Sequence, residues 1–293
     1  MYKRQAFYAV GAYVYALLAS PHFNIHLPWW VILPIGAAVA CLFGVLLGAP
    51  TLKLRGDYLA IVTLGFGEIV RIFLNNLSEP FNLTNGPKGI TTIDPIRVGP
   101  IDFGVASHVG PIVVSEAIKY YFFLLVVLVV VVVINLRLQN SRIGRAWEAI
   151  REDELAARSM GINTRNMKLL AFAMGASFGG VAGGMFSAIQ AFISPESFIL
   201  TESVMVLSMV VLGGMGNIFG VIMGAILLSF VPEILRYTVE PVQRMVFGHS
   251  IIDPEVIRML LFGLAMVVMM LFRPAGLLPS AVRKRELAGA KNE

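Results

Sequence analysis

Charged side chains are scarce in this chain of 293 residues, where they make up 14% against 57% hydrophobic residues. Ordinary soluble domains have about 25% charged and about 45–50% apolar residues. The shortage of charge excludes a disordered chain and a coiled coil, and it argues against a soluble enzyme with one core. The composition therefore predicts an all-α fold, a polytopic bundle of transmembrane helices.

Side chains that carry out chemistry are also few. Cys41 is the single cysteine, which excludes an internal disulfide and a thiolate cluster. The four histidines lack metal-ligand spacing, and no Ser-His-Asp pattern and no G-x-x-x-x-G-K-[ST] phosphate loop is present. We therefore expect no catalytic residue, no metal and no cofactor in this chain, and no ATP binding by a loop of that kind.

Long apolar runs predict the membrane spans, since a span needs about 20 predominantly apolar residues. Such runs cover residues 29–50, 58–77, 120–136, 168–192 and 259–272. Residues 6–20 form a shorter apolar run without the small-residue cleavage site of a signal peptide. The chain is expected to form one permease-like domain over residues 1–293.

Residues 204–231 form an apolar run whose middle, Gly213-Gly214-Met215-Gly216-Asn217, is a poor helix interior. Either this helix is broken, or it is re-entrant and returns to the face from which it came. One long tilted helix with a glycine kink is the alternative. Irregular backbone at membrane depth is tolerated only inside protein or beside a cavity, so Gly213, Gly214 and Asn217 are candidates for a substrate pathway.

The basic residues predict the orientation. Residues 137–167 contain six Lys or Arg and residues 273–293 contain five, whereas residues 78–118 and 232–257 contain two each. The positive-inside rule then predicts a cytoplasmic loop at 137–167, a cytoplasmic basic tail at 273–293 and an external loop at 77–119. This arrangement needs a re-entrant 204–231 segment. The net charge of +5 thus reflects orientation and indicates no nucleic-acid partner.

Glu68 and Arg71 are the ionisable groups inside the predicted spans, and their spacing of three places them on one helix face. Charges in the membrane interior are costly and mark a pathway or an internal pair. We treat Asp57, Thr63, Glu68 and Arg71 as pathway candidates. A purely structural ion pair that locks this helix to a neighbour is the alternative.

Small residues recur at four-residue spacing on two of the predicted spans. One ladder contains Gly36, Ala40, Gly44 and Gly48, and a denser one contains Gly175, Gly179 and Gly183 with Gly180 and Gly184 beside them. Small side chains allow helix backbones to approach closely in lipid. These ladders predict packing faces and say nothing of substrate.

Residues 141–161 read as one amphipathic helix, with Ser141 as its cap and Gly161 as its stop. Glu154 lies four residues before Arg158, which is a favourable pair. A helix of this kind between two spans is either a solvated linker or a docking element for a cytoplasmic protein. The docking candidates are Gly144, Arg145, Glu148, Arg151, Glu152, Ala156 and Gly161.

This loop resembles the ATPase-coupling loop of bacterial ABC importer permeases, a pattern of Glu-Ala-Ala, three residues and Gly. Ala156, Ala157 and Gly161 match that pattern, but Leu155 stands at the Glu position. Three further motifs resemble LivM-type permeases of branched-chain amino-acid importers: GDYLAIVTLGFGEIVR at 56–71, TNGPKGI at 84–90 and VLGGMGN at 211–217. The resemblance extends from about residue 6 to residue 279.

The resemblance implies a permease subunit in a bacterial or archaeal cytoplasmic membrane, moving leucine, isoleucine or valine. It implies as partners a second homologous permease subunit, two cytoplasmic ATP-binding subunits and an extracytoplasmic solute-binding protein. A permease for urea or short amides of the same family, and a secondary transporter, are the alternatives. Family members carry further helices before the equivalent of residue 6, so the chain is expected to be N-terminally incomplete, with a first helix that lacks neighbours.

Overall fold

The structure is a computed structural model that describes residues 4–52, 54, 57–78, 82–109, 112–247, 254–272 and 276–278. Within these residues the α-helices are α1 Arg4–Leu18, α2 Trp29–Thr51, α3 Asp57–Asn76, α4 Glu116–Gln139, α5 Arg142–Glu152, α6 Glu154–Ser159, α7 Thr164–Gln190, α8 Leu200–Gly213, α9 Ile218–Phe247 and α10 Pro254–Phe272. Contacts divide the chain into two compact units, Met1–Leu200 and Thr201–Glu293.

Each of the five predicted spans falls on a helix, although 58–77 extends one residue past the end of α3 and 168–192 two residues past the end of α7. Among the described residues, four stretches are long and apolar enough to cross a membrane, namely Trp29–Thr51, Glu116–Gln139, Thr164–Gln190 and Pro195–Gly213. The helices α3 and α10 add 20 and 19 residues. The all-α polytopic fold is therefore confirmed.

The core of the first unit consists of α1, α2 and α7 packed side by side. Gly36, Ala40, Gly44 and Gly48 are all buried, as the ladder on α2 predicted. On α7 the buried positions are Gly180, Gly183 and Gly184, whereas Gly175 is exposed. An added Cβ at Gly11 would overlap the backbone of Gly180, so α1 and α7 touch backbone to backbone. The packing face of α7 thus includes Gly180, Gly183 and Gly184, and the predicted member Gly175 does not belong to it.

The expectation that the first helix lacks neighbours is wrong. Ala6, Phe7, Ala9, Ala12, Tyr13 and Ala16 of α1 are buried, and α1 packs against both α2 and α7. Small residues on α1 let both partners approach closely.

The predicted external loop contains short hairpins that the sequence did not indicate. A 3₁₀ helix at Gly86–Lys88 is followed by strands. The strands of this unit are β1 Ala19–Ser20, β2 Ile25–His26, β3 Ile90–Thr91, β4 Arg97–Val98, β5 Ile101–Asp102, β6 Ser107–Val109, β7 Ile112–Val114 and β8 Phe192–Ile193. They pair antiparallel as β1-β2, β3-β8, β4-β5 and β6-β7. Strands of two or three residues leave no periodic signal, which explains why they escaped prediction.

In the second unit the 204–231 segment is broken where the glycines predicted it. The helix α8 ends at Gly213 and α9 begins at Ile218, with Gly214 at φ 113° and Gly216 at φ 87° between them. Glycine tolerates such angles at little steric cost. The kinked single helix is therefore wrong, and the re-entrant course stays a prediction.

The helix α9 extends further than the sequence indicated. It continues to Phe247, so much of the expected external connection at 232–257 is helical. Its 30 residues correspond to about 45 Å at about 1.5 Å per residue. Residues 232–247 contain two Glu and two Arg, which favour helix, but also three Val and two Pro, so their composition does not by itself explain the helix. The predicted basic tail at 273–293 lies outside the described residues, apart from 276–278.

Candidate functional site

The helix α5 begins on the cap that the sequence predicted. Ser141 Oγ accepts a hydrogen bond from the backbone N–H of Gly144 at 3.2 Å. An added Cβ at Gly144 would overlap the carbonyl groups of Leu138 and Gln139. Gly144 therefore lets α5 turn directly off the end of α4, which is a packing role for a residue named as a docking candidate.

The 141–161 stretch forms two helices, so the prediction of one amphipathic helix is wrong. Asp153 adopts extended dihedrals, φ −149° and ψ 112°, and separates α5 from α6. Its carboxylate accepts from the N–H groups of Leu155 at 2.7 Å and Ala156 at 3.0 Å. Aspartate is among the preferred N-cap residues because it satisfies the free N–H groups of a first turn. That preference starts a second helix where the sequence reading saw a continuous one.

Gly161 ends α6 as predicted. Its φ is +84°, its N–H donates to Arg158 O at 3.0 Å, and the N–H of Ile162 donates to Ala157 O at 3.1 Å. These two bonds are the Schellman pattern, which satisfies the last carbonyl groups of a helix. The loop is thus a helix–cap–helix unit with both ends defined by hydrogen bonds.

Side chains of this loop attach it to the start of α7. Trp147 Nε1 donates to Met167 O at 2.8 Å, and Lys168 Nζ lies 2.5 Å from Glu154 Oε2. The predicted Glu154–Arg158 pair is present at 3.8 Å. The hydrogen bond from Lys168 lowers the pKa of Glu154 below its ordinary value. These contacts attach the two short helices to the beginning of α7.

The outer surface of the loop carries both charged and apolar groups. Of the predicted docking residues, Arg145, Glu148, Arg151, Glu152, Ala156 and Gly161 are exposed. Two large apolar side chains are exposed as well: Leu155 at 74% and Met160 at 84%. Neither residue is among the predicted docking candidates. A cleft of about 380 Å³ beside Gly161 is lined by Arg158, Ile162, Asn163, Thr164 and Arg165.

The predicted pathway residues of the first unit lie on α3. Asp57 is its first residue, and Thr63 is buried. Arg71 bonds Glu68 through Nε at 3.0 Å and Nη2 at 2.5 Å. Its Nη1 lies 3.4 Å from Glu196 Oε1, on the 3₁₀ helix Pro195–Phe198. The pair predicted from spacing is therefore an ion triad, and Glu196 is the member that the sequence reading missed.

Two loops hold the far end of α3 beside that 3₁₀ helix. Thr84 Oγ1 donates to Leu74 O at 2.6 Å, which satisfies a carbonyl near the end of α3. Ile90 then pairs with Ile193, just before Pro195. An added Cβ at Gly89 would overlap Ile193 O, and the φ of Gly89 is +70°. The TNGPKGI motif thus forms the clasp that joins the end of α3 to the end of α7.

In the second unit the candidates Gly213, Gly214 and Asn217 form the turn between α8 and α9. Asn217 Oδ1 accepts from the N–H of Phe219 at 3.1 Å and caps α9. Its Nδ2 donates to Leu278 O at 3.1 Å. The carbonyls of Leu212 and Gly213 accept from the N–H groups of Leu277 and Leu278 at 2.9 and 3.1 Å. An irregular turn flanked by two apolar helices is therefore closed by protein hydrogen bonds.

The two limbs of this hairpin are in backbone contact. An added Cβ at Gly224 would overlap the backbone of Met209 and Gly213. Such a close approach to the backbone of α8 requires that position 224 carry no side chain. These features of the two units define a polytopic α-helical membrane protein with a helical loop between α4 and α7.

The chain belongs to the family described as branched-chain amino acid transport system / permease component, whose model matches residues 4–270. It is 45% identical over 285 residues to the high-affinity branched-chain amino acid transport system permease protein LivM of Escherichia coli. That alignment covers 93% of this chain and 62% of the relative. The chain thus spans less than two thirds of the length of that relative.

Two further relatives extend the comparison. A probable branched-chain amino acid transport permease protein LivM of Methanocaldococcus jannaschii is 27% identical over 85% of this chain and 68% of its own length. The permease protein LivH of Escherichia coli is 32% identical over 96 residues, which is 33% of this chain and 31% of the relative. No solved structure matches this chain.

Proposed function

We propose that this chain is the membrane-spanning permease subunit of an ATP-driven importer that moves leucine, isoleucine and valine across the cytoplasmic membrane. The observation that carries the proposal is the family match over residues 4–270, together with 45% identity to a permease named for branched-chain amino acids. The chain has no phosphate loop of its own, so two ATP-binding subunits supply the hydrolysis.

The ATP-binding subunits dock on α5 and α6. Large apolar side chains surrounded by charge are typical of interaction sites, where a buried apolar centre lies inside a polar rim. Leu155 and Met160 supply that centre, and Arg145, Glu148, Arg151 and Glu152 supply the rim. This surface faces the cytoplasm under the positive-inside rule, and the basic tail at 273–293 lies on the same side.

The loop transmits force because it is tied to α7. The bonds from Trp147 to Met167 and from Lys168 to Glu154 connect α5 and α6 to the first turn of α7. That helix in turn packs on α1 and α2 through glycines. Closure of the ATPases therefore displaces α7 with its neighbours and tips the permease between inward-facing and outward-facing states.

Two other subunits complete the importer. The partial similarity to LivH supports a second permease subunit of the same family. An extracytoplasmic solute-binding protein delivers the amino acid to the opposite face of the membrane. Selection of the substrate belongs to that protein.

Uptake by the reconstituted complex tests the proposal. The chain is placed in proteoliposomes with the second permease subunit, the ATP-binding subunits and the solute-binding protein, and radiolabelled leucine uptake is measured. We expect uptake only with ATP inside the vesicles, and none of urea or acetamide. Uptake driven by an ion gradient without ATP would establish a secondary transporter, and uptake of urea in place of leucine would establish the amide permease.

A further inference from the structure

The Glu68–Arg71–Glu196 triad carries an unequal set of bonds. Glu68 accepts two hydrogen bonds from Arg71, at 3.0 and 2.5 Å, whereas Glu196 accepts one at 3.4 Å. The side chain of Glu196 is 63% exposed and that of Arg71 is 25% exposed. Two carboxylates and one guanidinium leave one negative charge uncompensated. Glu196 is therefore the more weakly held and more accessible of the two carboxylates.

The turn that carries Glu196 is held rigidly. Phe198, two residues further on, is 2% exposed and packs against Tyr8, Tyr13 and Phe186 with ring centroids 5.9, 6.0 and 6.3 Å away. The buried hydroxyl of Tyr13 has no hydrogen-bond partner among the described residues. Glu196 therefore lies on a turn that is anchored by the buried ring of Phe198, and its own side chain is exposed.

The exposed charges of Arg71 and Glu196 are not expected to contact lipid hydrocarbon. A charged side chain inside a membrane segment faces the bundle interior, a partner or water, since contact with hydrocarbon is costly. Arg71 lies on a 20-residue helix, and Glu196 lies at the start of an apolar stretch long enough to span. The exposed side of the triad therefore faces the conduit, the second subunit or water at the membrane surface.

We propose that this triad receives the transported amino acid, with Glu196 binding the α-ammonium group and Arg71 binding the α-carboxylate. The inference rests on the proposed function. A guanidinium has five N–H donors, and the two carboxylates use three of them here. The uncompensated negative charge matches an ammonium group, and the remaining donors match a carboxylate. Glu68 is a positioning residue, which holds Arg71 in place.

The charge pattern also selects between substrates. A zwitterion satisfies both ends of the triad, whereas a neutral amide offers no ammonium group to Glu196. The triad therefore favours α-amino acids over urea and short amides by charge, and leaves the choice of side chain to another surface or subunit.

The variant Glu196→Gln tests the assignment in the complete reconstituted complex. It keeps the size of the side chain and removes its charge. We expect leucine uptake per assembled complex to fall about tenfold or more, because a charged hydrogen bond to the substrate is lost. The matched control is Glu202→Gln, since Glu202 is exposed in the first turn of α8; its uptake should equal that of the wild type.

Exchanging the charges of Arg71 and Glu196 distinguishes a role in substrate binding from a purely structural ion pair. The double variant Arg71→Glu with Glu196→Arg restores an ion pair between α3 and the 3₁₀ helix but reverses the charges offered to the substrate. Binding predicts an assembled complex whose uptake stays low. Recovery of leucine uptake in the double variant would indicate a structural ion pair and overturn the inference. A loss of uptake in Glu196→Gln that is fully explained by a loss of complex assembly would overturn it as well. A wild-type complex without ATP-dependent leucine uptake would instead overturn the proposed function.

Discussion

Single polar side chains decide where the helices of the 137–167 loop begin and end. Ser141 and Asp153 each accept hydrogen bonds from free N–H groups of a first turn, and Gly161 adopts the left-handed conformation that closes the last turn. The sequence reading identified the first and third of these residues. Asp153 escaped because it lies inside a stretch of otherwise helical composition, where only a cap interaction reveals a break.

Removing the cap at Asp153 should weaken docking of the ATP-binding subunits. Asp153→Ala leaves the N–H groups of Leu155 and Ala156 unpaired and destabilises α6 by about 1 kcal/mol. We expect less ATPase to co-purify with this variant, while membrane insertion is unchanged. Asp153→Asn keeps a capping side chain and should retain the ATPase. Equal retention by the alanine and asparagine variants would show that α6 does not depend on this cap.

A glycine on α7 contributes to packing only where it lies on the side of the helix that faces a neighbouring helix. Gly183 and Gly175 both belong to the predicted ladder on α7, yet an added Cβ at Gly183 would overlap the backbone of Tyr8 and Ala12, whereas nothing lies within 4 Å of one at Gly175. Eight residues along a helix correspond to about 2.2 turns. The two positions therefore point about 80° apart, and only one faces α1.

Alanine should destabilise the protein at position 183 and should have little effect at position 175. Gly183→Ala forces α1 and α7 apart, because a backbone cannot move aside as a flexible side chain can, and overpacking costs about 1–3 kcal/mol. Gly175→Ala should be tolerated. Thermal unfolding of the purified complex in detergent measures the difference. A melting temperature for Gly183→Ala equal to that of Gly175→Ala would contradict the close contact between the two helices.

For the whole molecule, orientation depends on charge that is distributed over distant segments. The six basic residues of 137–167 and the five of 273–293 are compatible with one side of the membrane only if the α8–α9 hairpin returns to its face of entry. The break at Gly214–Asn217 and the contact of Gly224 with Met209 are consistent with such a return.

Cysteine labelling tests this topology. In a Cys41→Ala background, single cysteines replace Lys88, Ser159 or Lys291, and an impermeant maleimide is applied to whole cells and to inverted vesicles. We expect Lys88→Cys to react from outside, and Ser159→Cys and Lys291→Cys only in inverted vesicles. A Lys291→Cys variant that reacts from outside would mean that 204–231 crosses the membrane instead of returning.

Much of the fold was open to prediction because it depends on local composition. Apolar runs located the spans, the glycines of 213–217 located the break, and Ser141 and Gly161 located loop boundaries. The helical end of α9 and the short hairpins were missed, since hydropathy does not report helix propensity and strands of two or three residues have no period. Of the candidate site, Glu68 and Arg71 were predictable from their spacing, but their third member was not.

The sequence by itself determined the class of this protein, its spans and its family, because these depend on composition and on contiguous motifs. Only the tertiary structure decided that α1 is enclosed by α2 and α7, that Gly175 faces away from them, and that Glu196 meets Arg71 across 125 residues of chain. The physical reason is that such contacts join residues remote in sequence. In the case of Arg71 and Glu196, the bond from Thr84 to Leu74 and the pairing of Ile90 with Ile193 hold the end of α3 beside the residues that follow α7.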